Sequence, residues 1–137
     1  MFSKILVAVD LLDPTKGKRI LEAAAGFAGS AEIRLIYVRY MMEAALKYID
    51  QSSMAAEENA AVAELVELAA RAGLPAGQVS GASPMGSPAD RILAAAAEWK
   101  ADLIVIGPHK PSAAKFFLGG EATRIVQRAE VSVLVVR

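Results

Sequence analysis

The stretch LIVIGPHKPSAAKFFLGGEATRIVQRAEVSVLVVR, Leu103 to Arg137, decides how this chain folds. An apolar run, Leu103-Ile104-Val105-Ile106, stops at Gly107. A loop of Pro, His, Lys and Ser follows and closes on Gly119-Gly120. A helical pattern begins at once, with Ala122, Ile125, Val126 and Ala129 at helical spacing. A second apolar run, Val131 to Val136, ends the stretch. A helix start carries unpaired backbone N–H groups and a partial positive charge, and glycine lets a ligand come close to that backbone. Strand, glycine loop and helix start together make a cradle for an anion, with His109 and Lys110 supplying positive charge from the loop. Spacing alone leaves a second reading open, a plain connection whose glycines only permit a turn.

Working back toward the N-terminus, the same alternation repeats. Ile5 to Val9 is apolar on both faces, which suits a buried parallel strand, and it stops at Asp10. In open α/β sheets ligands gather at the C-terminal ends of strands, so Asp10 is a candidate site residue. The alternative is that it starts a turn, with Asp13-Pro14 following. Thr15 to Ala28 reads as a helix burying Ile20, Leu21, Ala24, Phe27 and Ala28. Ile33 to Val38 reads as a second strand.

Met41, Met42, Ala45, Tyr48 and Ile49 recur at helical spacing, as a short helix over the ligand edge or the start of a longer one. Met54 to Gly73 is a stronger helix carrying Val62, Leu65, Val66 and Ala69 on one stripe. Gln78 to Ser83 is a weak strand. Ser87 is placed to cap the next helix, with Pro88 at its first position. That helix has Ile92, Leu93, Ala96 and Trp99 on one face, with Trp99 closing the core at its end. Five strands alternating with helices imply an α/β fold with a parallel sheet covered on both faces.

Composition narrows the function classes. The 137 residues fit one domain, 1–137, with enough apolar content for a real core. Lys plus Arg equals Asp plus Glu at 15 each, so no broad footprint for nucleic acid or anionic membrane exists. With no cysteine and one histidine, thiolate chemistry and Cys- or His-cluster metal sites are excluded. The apolar run after Met1-Phe2-Ser3-Lys4 is too short for a signal-peptide core, and a cytoplasmic location is expected.

Gly107-Pro108-His109-Lys110, eight or nine residues, Gly119-Gly120, a helix and a terminal VSVLVVR resemble the universal stress protein family. Nucleotide-binding members carry Gly-x2-Gly, nine residues, then Gly and Ser or Thr. Members with a His-Arg-Pro loop use the shorter spacing and resemble His109-Lys110-Pro111. The resemblance implies a Rossmann-like sheet of strand order 3-2-1-4-5, of the adenine nucleotide alpha hydrolase-like type. Its switch point lies between strands one and four, which end here at Asp10 and Gly107. It implies ATP or AMP, with or without Mg2+, as ligand. Ala8, Asp10 and Val38 then line the adenosine pocket. Ile106 and Gly107 pass under the ribose. His109, Lys110, Gly119, Gly120, Glu121 and Ala122 surround the phosphates. It also implies a homodimer formed along the terminal strand, Val131 to Val136. That strand's bulky apolar residues at a sheet edge invite pairing with another copy.

Two departures matter. Lys110 stands where the motif has its second glycine, and neither spacing supplies the Ser/Thr hydroxyl. A lost hydrogen bond to a charged group is worth about 1.5–3 kcal/mol, on the order of tenfold to a hundredfold in affinity. With nine residues in the spacer, Glu121 stands beside the phosphates and opposes binding; with eight, it is a first-turn acid. Two functions follow as expectations: a regulatory nucleotide-binding stress protein, or the same fold as a dimeric protein-interaction module without nucleotide. An enzyme is not expected, because neither a G-x-S-x-G elbow nor a Ser-Gly-Gly loop occurs and His109 has no identifiable nucleophile.

Overall fold

The apolar runs become neighbouring parallel strands. A computed structural model describes residues 1–41, 45, 47, 48, 50–108 and 119–137. In chain order the strands are β1 (Lys4–Ala8), β2 (Glu32–Ile36), β3 (Arg39–Tyr40), β4 (Val79–Ala82), β5 (Met85–Gly86), β6 (Leu103–Ile106) and β7 (Ser132–Val135). The helices are α1 (Pro14–Phe27), α2 (Gln51–Arg71), α3 (Pro88–Trp99) and α4 (Gly120–Arg128), with a 3-10 turn at Ala76–Gln78.

The main sheet runs β4-β2-β1-β6-β7, parallel throughout. Counting only its own five strands in chain order, this is 3-2-1-4-5. The two remaining strands, β3 and β5, form a parallel ribbon that the sequence pattern does not announce. They continue the β2–β4 pairing in the same register, as Ile36↔Ala82 and Arg39↔Met85 show. The break falls at Pro84, which has no N–H to donate to the ladder. Ser83, fully buried, donates its hydroxyl to the Tyr37 carbonyl there at 2.7 Å.

Strands β1 and β6 sit in the middle because they are apolar on both sides, with every residue of β6 buried. Alternate side chains go to opposite faces. On one face Ile5, Val7, Ile33, Leu35, Leu103 and Val105 join Ile20, Leu21 and Ala24 of α1 and Leu65 and Ala69 of α2. On the other, Leu6, Ile36, Ile104 and Ile106 join Ala89, Ile92 and Ala96 of α3 and Ala122 and Ile125 of α4. Each large side chain buried this way contributes about 1.5–3 kcal/mol of transfer free energy. The chain winds outward from β1 to β4 with α1 and α2 on one face. It then returns to β6 and β7 with α3 and α4 on the other.

Several local expectations change. Phe27 is 41% exposed and Val126 is 44% exposed. Both lie at the margin of their helical stripes, roughly 70° from a centre set by the buried residues at 100° per residue. The second strand ends at Ile36 rather than Val38, and α2 starts at Gln51 rather than Met54. Asp50 precedes α2 and accepts the Ser52 hydroxyl at 2.7 Å, a contact that holds its carboxyl below the usual range. Met42 and Ile49 lie outside the described residues. Trp99 is half-buried against the α3 side of the core, with the Arg34 guanidinium 4.7 Å and the Lys4 ammonium 5.3 Å from its ring.

Candidate functional site

The direction change falls between β1 and β6, which pair as Ile5↔Leu103, Leu6↔Ile104 and Val7↔Val105. The chain therefore leaves both strands side by side at their C-terminal ends, with Asp10 just past one and Gly107 just past the other. Such a crevice is where open α/β sheets take ligands.

Four of the residues expected there share one apolar cluster. Ile106 and Ala122 are buried in the α3–α4 face, and Ala8 and Val38 pack half-buried against it. Val9 donates its N–H to the Ile36 carbonyl at 2.9 Å, which continues the β1–β2 ladder past Ala8. The Ile106 carbonyl already accepts from Val136 at 2.8 Å, so what Ile106 offers a ligand is its apolar side chain.

Asp10 adopts the turn that its Asp-x-x-Asp-Pro context suggests. Its carboxylate accepts the Leu12 N–H at 2.9 Å, and its carbonyl accepts from Asp13 at 3.1 Å. Two residues at this edge escaped the sequence reading. Burial first, then the negative charge of Asp10, push the Tyr37 phenol above its ordinary value, with Arg39 pulling the other way. Arg39 spends its guanidinium on the Ser83 carbonyl, through Nε at 3.1 Å and Nη2 at 2.6 Å, and faces Glu57 at 3.5 Å. The only signal in the sequence is a tyrosine and an arginine following directly on an apolar strand.

Gly107 has a packing reason of its own. A Cβ there would lie 2.8 Å from Ile20 Cδ1, so the glycine lets α1 settle over the end of β6. Gly119 and Gly120 differ from it. Gly119 is the N-cap of α4 at φ 86° and ψ 159°, a conformation that side-chain-bearing residues avoid. Among the described residues, a Cβ at Gly120 would meet nothing within 4 Å. Helix geometry leaves the first N–H groups of α4 without intrahelical acceptors.

Glu121 is the second residue of α4. Its carboxylate reaches across to α3, where it accepts the Ala89 N–H at 2.6 Å, and it lies 3.6 Å from Arg124 of its own helix. Ser87, expected to cap α3 with its hydroxyl, stands at the cap position without a side-chain bond. The acceptor that closes the first turn of α3 is Glu121 instead, because α4 packs alongside at that end. Asp90 in the same turn pairs with Arg124 at 3.2 Å and Arg128 at 3.7 Å. His109 and Lys110 lie outside the described residues.

A doubly wound parallel sheet with a glycine-opened helix beside its switch point defines a Rossmann-like α/β protein. The chain matches the universal stress protein family over residues 1–137, and it belongs to that family. Solved structures share the fold. A universal stress protein in complex with cAMP superposes with a TM-score of 0.69 at 22% identity, covering 99% of this chain and 97% of that one. One from Archaeoglobus fulgidus gives 0.70 at 22% identity, with full coverage of both chains. Another from Archaeoglobus fulgidus, in complex with dAMP, gives 0.65 at 21% identity, covering 98% of each chain. Among the described residues no helix is long and apolar enough to cross a membrane.

Proposed function

We propose that this chain is a regulatory adenine-nucleotide-binding protein that acts as a homodimer in the stress response, in the cytoplasm, and not as an enzyme. One observation carries the reading. Ala8 of β1, Val38 just past β2, Ile106 of β6 and Ala122 of α4 come into one apolar cluster, beside the helix start that Gly119 opens. An adenosine moiety fits an apolar wall at a sheet edge, and a phosphate fits a helix start. Two family relatives of the same fold were solved with cAMP and with dAMP, both adenine nucleotides. Gly119 rather than Gly120 caps α4, which favours the eight-residue spacing and makes Glu121 a first-turn acid. The homodimer reading rests on β7, an edge strand that leaves Leu134 38% exposed.

A second reading has its own support. Gly107 is explained by Ile20 alone, and no hydroxyl follows Gly119 or Gly120. On that reading the fold is a dimeric interaction module without nucleotide. Denaturing the purified protein and resolving the supernatant by anion exchange separates the two. Stoichiometric adenine nucleotide, or heat on titration with AMP or ATP and magnesium, is the outcome for the first. Neither signal is the outcome for the second.

A further inference from the structure

We propose that Arg39 is a positioning residue for the ligand edge: acting through Ser83, it aims the backbone of Val38 so that the edge takes an adenine base over hypoxanthine. The inference rests on the nucleotide reading above and concerns how that site reads the base.

Parallel strands bond through alternate residues at even spacing. Past the end of β2 the Tyr37 N–H reaches the Ala82 carbonyl at 3.1 Å, and the Arg39 N–H reaches the Pro84 carbonyl at 2.9 Å. Between these two bonds the ladder calls for one from residue 84 to the Tyr37 carbonyl, and Pro84 has no N–H to supply it. The Ser83 hydroxyl takes that place at 2.7 Å. The Ser83 carbonyl in turn accepts the Arg39 guanidinium, from Nε at 3.1 Å and from Nη2 at 2.6 Å. Ser83 is fully buried and the Arg39 side chain is 14% exposed, so water competes little for this grip.

Val38 lies between the two pinned residues. A peptide unit is planar, so its C=O and N–H point opposite ways. The Ser83 hydroxyl on the Tyr37 carbonyl therefore turns the Val38 N–H toward β1. The Arg39 N–H on the Pro84 carbonyl turns the Val38 carbonyl the same way. On that side the ladder has already ended, its last bond running from the Val9 N–H to the Ile36 carbonyl. Among the described residues, nothing accepts the Val38 N–H or donates to the Val38 carbonyl. A half-buried residue thus presents one donor and one acceptor side by side, against the cluster that holds Ile106 and Ala122. That pair matches the N1 acceptor and the N6 amino donor of adenine. Hypoxanthine reverses both, with a proton on N1 and an oxygen at C6. The guanidinium holds the 83–84 peptide, and the Ser83 hydroxyl and Pro84 carbonyl on either side of it set both Val38 groups.

The test is calorimetric titration of the whole chain with AMP and with IMP. The two share ribose and phosphate, so the ratio of their affinities reads the base alone. The natural protein is compared with Arg39→Lys, Ser83→Ala and Glu57→Gln, and circular dichroism checks each fold. Lysine keeps the charge of Arg39 without its two-nitrogen fork. Glu57→Gln loses the ion pair at 3.5 Å and leaves the grip on Ser83 in place. The natural protein should bind AMP roughly tenfold or more tightly than IMP. Arg39→Lys and Ser83→Ala should each cut that ratio by roughly threefold to tenfold, and Glu57→Gln should keep it. Equal binding of AMP and IMP by the natural protein overturns the proposal. So does an Arg39→Lys or Ser83→Ala protein that weakens both nucleotides and leaves their ratio unchanged, as a merely structural contact would. Absence of binding of either nucleotide to the natural protein is a different failure. It removes the nucleotide reading itself, and this inference with it.

Discussion

The carboxylate of Glu121 on α4 accepts the backbone N–H of Ala89 on α3 at 2.6 Å. One side chain thereby satisfies a donor that helix α3 cannot satisfy itself, since its N-cap Ser87 contributes no side-chain bond. The contact ties together the N-terminal ends of the two helices on one face of the sheet, beside the candidate ligand edge. Glu121→Ala is expected to lower unfolding stability by about 1–2 kcal/mol, a charge-assisted bond discounted for partial exposure. Ser87→Ala is expected to cost under about 0.5 kcal/mol. Urea denaturation of the two variants compares them; equal costs would assign the cap to the wrong residue.

Gly107 and Ile20 should behave as a pair. A methyl at Gly107 points at Ile20 Cδ1, so Gly107→Ala should destabilise by about 1–3 kcal/mol. Ile20→Val removes the obstructing carbon. The double variant should then recover part of the Gly107→Ala cost, a coupling of about 0.5–1.5 kcal/mol in a double-mutant cycle. Strict additivity would mean that the glycine is there for another reason.

Gly119 and Gly120 should separate folding from binding. Gly119→Ala forces a side chain into a φ of 86° and should cost about 1–3 kcal/mol of stability. Gly120→Ala meets nothing within 4 Å among the described residues and should leave the unfolding midpoint nearly unchanged, while its methyl obstructs an anion approaching the helix start. Thermal unfolding with and without AMP reads both effects at once. A Gly120→Ala protein still stabilised by AMP as much as the natural one would place the ligand elsewhere.

Asp102 should mark the acid side of the stability curve. Its carboxylate accepts the Ser3 N–H at 2.8 Å and the Lys4 N–H at 2.9 Å, and these bonds hold its carboxyl below the usual range. A folded-state value below the unfolded one means the contribution is full above the ordinary carboxylate value. It is lost as pH falls through the depressed one. Urea midpoints at pH 6 and pH 3 should therefore differ less in Asp102→Asn than in the natural chain. Identical pH dependence would show that the clamp does not report on folding.

Much of this architecture was legible in the chain. Strands β1 and β6 are apolar on consecutive positions, which only a sheet covered on both faces accommodates, and the Gly119-Gly120 break announces α4. What escaped depends on partners far apart in sequence. The β3–β5 ribbon consists of two-residue strands, too short for any periodicity to register. The Glu121–Ala89 bond needs α3 and α4 to be neighbours before it means anything. Gly107 looks like ligand access until Ile20, from the first helix, is seen to fill the space. Phe27 reads as core because helical spacing tells which stripe a residue is on, not how far the stripe extends under its neighbours.

The proposed adenine-nucleotide site lies where β1 and β6 end, against the Gly119–Gly120 helix start. Titrating isotopically labelled protein with AMP and following backbone amide resonances tests it directly. Saturable shifts are expected at Gly119, Gly120, Glu121, Val38 and Ala8, with Ala97 and Ala129 at the far ends of α3 and α4 unmoved. Saturable shifts centred on those far ends, or none at millimolar AMP, would contradict it.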